Sequence, residues 1–443
     1  MLYPLSYGGG RREGTRLAAR AAGCTRRRGT GGARRSAGRS TSLDSVSEPV
    51  IPPVREIEDG PLGEVRRRAR EVAAAIAPDA ARWDAEDRFP EPSYAALRDA
   101  GLLRLTVPAE HGGDGLGVPE ACAVLEELAG SCFASAMLAQ LYLNGPPRAI
   151  DRLGTPEQRA RYLPEVAAGR RLIAIAITER DAGSAATELA TTLTPDGAGG
   201  FRLDGGKCYT TGGHAADVVL VFARLAGTSG SRGIGAVLVD RSAEGFSSRE
   251  SAPKMGGRGM AEADLRFDGV RIGADDVLVA PDGGSSAGAA LMLRQFNPER
   301  CGNAAMTLGC AGTALELSLR HVRTRRQFGR ELAEFQGLQW KLADMAIRLD
   351  GARLLLARAA ASDEAGFPAT RATAMAKVAA NEAAEWICAQ AIQLHGHAGY
   401  TRALPLERLY RDARGMSLAG GTVEIMRNVL AGELLGRRFS QRA

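Results

Sequence analysis

Long apolar runs are missing from this 443-residue chain. No stretch of roughly 18 uncharged apolar residues occurs, and the most apolar segments, Val218 to Phe222 and Ile234 to Val239, have the length of strands, which excludes a membrane-spanning helix. Aromatic residues are scarce at 5%, too few for base-stacking surfaces, so no nucleic acid is expected as a partner despite the formal charge of +6. That charge is unevenly placed. Residues 1–50 hold ten arginines against Glu13, Asp44 and Glu48, a net +7, which leaves the rest of the chain at −1. The seven cysteines, Cys24, Cys122, Cys132, Cys208, Cys301, Cys310 and Cys388, are scattered, odd in number and without a C-x-x-C pair, as in a reduced cytoplasmic protein. Only five histidines occur, and the isolated His395 and His397 have no third ligand nearby in sequence, so no metal is expected. Neither G-x-G-x-x-G nor G-x-x-x-x-G-K-[ST] follows a strand-like segment, which removes the Rossmann and P-loop nucleotide sites. Lysine is reduced to Lys207, Lys254, Lys341 and Lys377.

What is present divides the chain into four parts and gives an α+β fold. Residues 1–50, rich in Gly, Arg, Ser and Thr, read as a disordered basic leader, either a dispensable extension or a targeting signal. Residues 51–170 read as an N-terminal helical domain: Leu62, Val65, Ala69, Val72 and Ile76 recur every three or four residues, and helical segments follow around 119–130 and 156–168. Residues 171–283 read as a middle antiparallel β domain, with short β-branched runs at 172–178, 217–222, 234–239 and 263–267 separated by Gly, Asp and Pro clusters. Residues 284–443 return to the helical period and read as a C-terminal four-helix bundle, with one stripe at Leu338, Leu342, Met345, Leu349 and Ala352 and another at Met375, Val378, Ala379, Ala383, Trp386 and Ile387.

Seven stretches stand in a fixed order along this frame: Gly101-Leu-Leu-Arg-Leu-Thr-Val-Pro-Ala-Glu-His-Gly-Gly, Ala176-Ile-Thr-Glu-Arg-Asp-Ala-Gly-Ser, Gly206-Lys-Cys-Tyr-Thr-Thr-Gly, Arg325-Arg-Gln-Phe-Gly, Phe335-Gln, Gln393-Leu-His-Gly and Gly421-Thr-Val-Glu-Ile. In that order and spacing, from about residue 60 to the C-terminus, the sequence resembles the acyl-CoA dehydrogenase family. The resemblance implies FAD as cofactor, an acyl-CoA or acyl-carrier-protein thioester as substrate, an electron-transfer flavoprotein as acceptor, and a homodimer or homotetramer.

The resemblance also assigns residues. Thr178, Gly183 and Ser184 would hold the flavin, with Ser184 also reaching substrate; the Asp usual after that Ser is Ala185 here. Read structurally, the same segment is a turn-forming loop. Tyr209 and Thr211 stand where the family has Trp and Thr or Ser behind the flavin ring, against the plain reading of a strand with an exposed Tyr. Arg325, Phe328 and Gln336 would meet the FAD of a neighbouring subunit, although an Arg at a helix end is also a partner of the helix dipole. Gln393 and Gly396 match the family's Q-x-x-G-G corner, except that its second Gly is His397, and Thr422 and Glu424 complete the flavin set.

Desaturating an acyl thioester needs a carboxylate for the weakly acidic α-proton. Many relatives carry it just before the Gly-Thr of the last stretch, where this chain has Gly420. Isovaleryl- and long-chain-type members carry it instead in a Glu-Arg pair at the start of the first bundle helix, 26 residues before the Arg of R-x-x-F-G, and Glu299-Arg300 stands 26 residues before Arg325. Glu299 is therefore the expected base, Arg300 a substrate-side residue, and the Gly420 N–H a donor to the thioester oxygen. The plain reading of Glu299 is an acid at a helix N-terminus, beside Asn297 and Pro298. Two rival functions stay open: a flavin-dependent monooxygenase or oxidase on the same fold, and a non-catalytic thioester-binding subunit motivated by Tyr209, Ala185 and His397.

Overall fold

A computed structural model describes residues 60–364 and 366–437; the basic leader expected over residues 1–50 lies outside them. Seven helices open the described chain: α1 Gly60–Ile76, α2 Ala80–Glu86, α3 Glu91–Asp99, α4 Val118–Ser131, α5 Phe133–Leu143, α6 Pro146–Leu153 and α7 Pro156–Ala167. α1 buries Val65, Ala69, Val72, Ala73 and Ile76, the stripe its spacing predicts. α7 starts where Pro156 presets its first turn and Thr155 and Gln158 form a capping box, the Thr155 hydroxyl accepting from Gln158 N at 3.2 Å. α5 buries nearly all of its residues and so shows no one-sided pattern, which is why periodicity did not reveal it.

Eight strands follow: β1 Ile173–Ala176, β2 Thr192–Pro195, β3 Phe201–Thr211, β4 Val218–Leu225, β5 Ile234–Asp240, β6 Phe246–Glu250, β7 Glu262–Ile272 and β8 Val277–Val279. They form one sheet in the order β6-β7-β3-β2-β4-β5-β8, with β1 paired to β4. The sheet is the antiparallel one expected, except that β4 runs parallel to β1 over Val218 to Val221 and to β2 over Arg224 and Leu225, the two short strands sharing one of its edges. β4 is buried on both faces: Val218, Leu220 and Phe222 join the core shared with the helices, Val219 and Val221 the core on the sheet's other side. Burial on both faces is what turns β4 and β5 into the near-continuous apolar runs noted in the sequence.

The helical bundle comprises α8 Ala287–Thr324, α9 Gln336–Ala360, α10 Thr370–His395, the short α11 His397–Tyr400, α12 Leu406–Met416 and α13 Val423–Leu434. A small hairpin, β9 Arg326–Gln327 and β10 Arg330–Glu331, joins α8 to α9. α8 begins at Ala287, twelve residues before Glu299. Glu299 is thus well inside the helix, and the expectation that it opens the helix is corrected: Pro298 does not interrupt α8, and Arg300 Nη1 donates to the Leu293 carbonyl at 3.2 Å beside it. Of its expected stripe α10 buries Ala383 and Ile387, while its buried face also runs through Thr373, Ala376, Lys377, Ala380, Asn381 and Ala384.

Candidate active site

On α8, Gly288, Gln295 and Glu299 fall on one face at spacings of seven and four. The start of that face packs on the sheet, where a Cβ on Gly288 would lie 1.8 Å from the carbonyl oxygen of Ile234 in β5. The Glu299 backbone carbonyl accepts from Gln140 Nε2 of α5 at 2.9 Å. Its carboxyl is treated differently: Oε1 is closed off from water and has no hydrogen-bond partner. Burial pushes the Glu299 carboxyl up to about 8, opposed only in part by Arg300.

Arg300, one residue on, faces the turn that precedes α13. Its Nε donates to the Gly420 carbonyl at 3.0 Å and its Nη1 to Asn297 Oδ1 at 2.9 Å. Gly420 and Gly421 have φ of +68° and +90°, a left-handed pair that other residues adopt only with strain. Space is not the obstacle at Gly420, since a Cβ there would stand 3.9 Å from both Arg300 Cγ and Lys377 Cε.

Lys377 is a residue the sequence reading passed over. It is fully buried on α10 and donates to the Met416 carbonyl at 3.1 Å and to Asn381 Oδ1 at 3.3 Å. Asn303 Nδ2 also donates to the Met416 carbonyl, and Asn381 Nδ2 donates to Asn303 Oδ1 at 2.9 Å. Burial, with Arg300 nearby, pushes the Lys377 ammonium down to about 7, and Glu424 opposes this. Four side chains from two helices therefore hold the 416–420 segment from below. The available signal was a Lys and an Asn four apart within an alanine-rich helix, which the apolar count set aside.

The flavin-type residues fall into groups. Thr178 and Tyr209 are brought together, because the Thr178 carbonyl accepts from Cys208 N at 2.9 Å. Behind them Glu179 accepts from Lys207 Nζ at 2.7 Å and from the N–H groups of Ala190 and Thr191, and Lys207 Nζ also donates to the Ile177 carbonyl. Burial alone would raise the Glu179 carboxyl, but Lys207 and the two N–H groups hold it below its usual value. Tyr209 does not continue a plain strand: it sits at an irregularity of β3 with φ +56°, and the residue is 56% exposed. A bulky residue held left-handed is a strained position of the kind that accompanies sites. Thr211 is half-buried next to it, and Gly183 and Ser184 lie exposed beyond the turn closed by Glu179 and Ala182.

Arg325, Phe328 and Gln336 cluster at the hairpin between α8 and α9, where Phe328 is 92% exposed at φ +53°. His321 at the end of α8 stacks on His395 with ring centroids 4.2 Å apart, which ties the base of this hairpin to the exposed Gln393 and Gly396 corner. His397 is exposed and opens α11. Thr422 caps α13, its hydroxyl accepting from Ile425 N at 3.2 Å, and Glu424 is exposed in the first turn. Among the described residues no group of three or more His, Cys, Asp or Glu is placed to hold a metal ion, and no helix is long and apolar enough to cross a membrane.

The domains of the acyl-CoA dehydrogenase family match in chain order: the N-terminal domain over residues 63–170, the middle domain over 174–270 and the C-terminal domain over 286–435. The 3-sulfinopropanoyl-CoA desulfinase of Paraburkholderia xenovorans is 41% identical over 381 residues, 86% of this chain and 97% of the relative. The acryloyl-CoA reductase (NADH) of Anaerotignum propionicum is 36% identical over 84% of this chain and 94% of the relative. The structure of butyryl-CoA dehydrogenase from Megasphaera elsdenii superposes with a TM-score of 0.81 at 28% identity, covering 84% of this chain and 98% of that one. By motif order, by fold and by three consecutive domain matches, this chain belongs to the acyl-CoA dehydrogenase family of flavoenzyme oxidoreductases.

Proposed function

We propose that the protein is an FAD-dependent dehydrogenase of acyl thioesters in which Glu299 removes the α-proton. One observation carries this reading: a carboxyl well inside α8, with one oxygen out of water and unpartnered, whose proton affinity is raised into the working range of a general base. The residues around Tyr209 suit a flavin. An exposed tyrosine in a strained backbone, the hydroxyls of Thr178 and Thr211, and the open backbone at Gly183, where a Cβ would meet nothing within 4 Å, form a surface that a flat ring and its phosphates can approach. When bound, FAD supplies the acceptor for the β-hydride.

The chain's own residues do the rest. Glu299 takes the α-proton; the Gly420 N–H, held in place through Arg300 and the Lys377, Asn303 and Asn381 set, donates to the thioester oxygen as charge builds on it. Arg300 acts here mainly by fixing Gly420, since it is buried and bonded on its inner side. Thr178, Gly183, Ser184, Tyr209, Thr211, Thr422 and Glu424 hold the cofactor in this subunit. Arg325, Phe328, Gln336, Gln393 and Gly396 reach the cofactor of a second copy, in a homodimer or homotetramer. Exposed Phe328, Trp340, Ile347 and Leu354, the last three seven apart on α9, support that arrangement. An electron-transfer flavoprotein takes the electrons.

The names of the two relatives both carry three-carbon acyl groups, which favours a short acyl-CoA over a long-chain or carrier-protein substrate. The test is anaerobic bleaching of the bound flavin by propanoyl-, butanoyl-, isovaleryl- and 3-sulfinopropanoyl-CoA. Bleaching by an alkanoyl-CoA that Glu299→Gln abolishes supports the reading. Flavin that no thioester reduces, or that bleaches equally without the carboxylate, overturns it.

A further inference from the structure

Two polar side chains on one face of α8 lack partners. Gln295 is 2% exposed, and neither its Nε2 nor its Oε1 makes a hydrogen bond; one helical turn later, Glu299 Oε1 is in the same condition. A buried amide left unpaired at both ends costs about 1 to 3 kcal/mol for each group, so one standing a helical turn from an unpaired carboxyl calls for an explanation. Residues four apart on a helix have Cβ atoms about 5 to 6 Å apart, within reach of both side chains. Among the described residues none makes a hydrogen bond to Glu299 Oε1. Gln140 of α5 is committed to the Glu299 backbone carbonyl, and Gly302 packs so closely against Gln140 that a Cβ there would lie 2.0 Å from Gln140 Oε1.

We propose that the Gln295 carboxamide is the hydrogen-bond partner of the Glu299 carboxyl and acts as its positioning residue. The pairing rests on the reading of Glu299 as the base. An amide suits this task because it both donates and accepts. Before reaction Nε2 donates to the Glu299 carboxylate; once the α-proton has moved onto Glu299, the new O–H donates to Gln295 Oε1. The proton goes from the α-carbon to Glu299, and Gln295 gains and loses nothing. A rotation of the amide serves both states, so the carboxyl stays aimed while its charge changes.

The charges around Glu299 are few. Arg300, its neighbour on α8, is the charged group acting on the carboxyl; Lys377 of α10 and Glu424 of α13 act on the Arg300 side of the helix. A donor lost at Gln295 would therefore be felt directly in the titration of Glu299.

The test uses the FAD-loaded full-length protein. Infrared difference spectra taken as pH is stepped locate the carboxylic-acid band of Glu299, identified by its loss in Glu299→Gln. In Gln295→Met, of similar size and without hydrogen-bonding atoms, the Glu299 midpoint should rise by about one pH unit, a tenfold loss of carboxylate below it. Flavin reduction by butanoyl-CoA at pH 6 should then be about tenfold slower than wild type and converge with it at high pH. An unmoved or lowered midpoint overturns the pairing. If Gln295→Met loses flavin, Gln295→Leu carries the same test: it too removes both hydrogen-bonding atoms and adds no charge, so the midpoint must rise. The spectroscopic arm needs no turnover, so an active Glu299→Gln would sink the assignment of the base without deciding the pairing, and a dead Glu299→Gln with an unmoved Gln295→Met midpoint would sink the pairing alone.

Discussion

In the sheet, Glu179 accepts from Lys207 Nζ, Ala190 N and Thr191 N, while on α8 Glu299 keeps a buried oxygen that makes no hydrogen bond in this structure. Each carboxyl has an oxygen withdrawn from water, but the first is held below its usual proton affinity and the second is pushed up to about 8. The difference separates two uses of a buried acid. Fully paired, Glu179 ties the Thr178 segment to β3 and sets the place of Tyr209. Glu299, with Arg300 as the charged group acting on it, is held at a raised proton affinity, as the proposed base requires.

Removing the acid function on α8 should give the largest effect. Glu299→Gln is expected to retain flavin and to slow its reduction by about 10² to 10⁴-fold, read by anaerobic stopped-flow absorbance. Wild-type reduction in that variant would erase the contrast. Making Glu179 resemble Glu299 comes next: Lys207→Met strands a buried carboxylate and should cost about 3 to 5 kcal/mol of stability by urea unfolding, with loss of flavin. An unchanged urea midpoint would show that the pair contributes no more than an exposed one.

Moving the base is a finer probe. Gly420→Glu in the Glu299→Gln background should restore a fraction of wild-type reduction, because a side chain fits beside Arg300 Cγ and Lys377 Cε. Recovery stays partial, since a non-glycine residue at φ +68° costs about 1 to 3 kcal/mol. A folded, flavin-loaded double variant inert toward every thioester would deny that positions 299 and 420 address one α-carbon.

The smallest effect is on stability against pH. Between about 4.5 and about 8 the folded chain keeps a proton on Glu299 that the unfolded chain has released, so this group makes stability fall as pH rises through that window. Glu179 works the other way, contributing stability above its unfolded value and losing it as acid is added. Glu299→Gln should therefore gain in urea midpoint relative to wild type at pH 8.5 and not at pH 4.5. Equal differences at both pH values would mean that the carboxyl is not desolvated.

The three-part architecture was legible because its elements repeat: a helical stripe in α1, apolar runs in β4 and β5, long periodic segments in α9. The link between the Glu299-Arg300 pair and Gly420 came from the family resemblance, and in the structure it takes the form of the Arg300 Nε bond to the Gly420 carbonyl. What stayed hidden depended on packing between distant segments. Lys377 and Asn381 look like surface residues until α8 and α12 close over them, and the left-handed backbone at Tyr209 arises from an irregularity in the β3 and β7 ladder that no local pattern announces. Position within a helix was misread for the same reason, since Pro298 normally marks a first turn and here lies inside α8.

The burial of Lys207 and Lys377 has a chemical consequence of another kind. Thioesters acylate amines, and this chain has four lysines in 443 residues. Two are sealed inside, Lys341 donates to Gln390 Oε1 at 2.7 Å, and Lys254 donates to the Met260 carbonyl at 2.8 Å. Its remaining side-chain cations are arginines, whose guanidinium groups stay protonated and unreactive. With acyl thioesters as the proposed substrates, the chain thus shows them few amines, and an acyl mark on Lys207 or Lys377 after exposure to acyl-CoA would record a molecule that had opened.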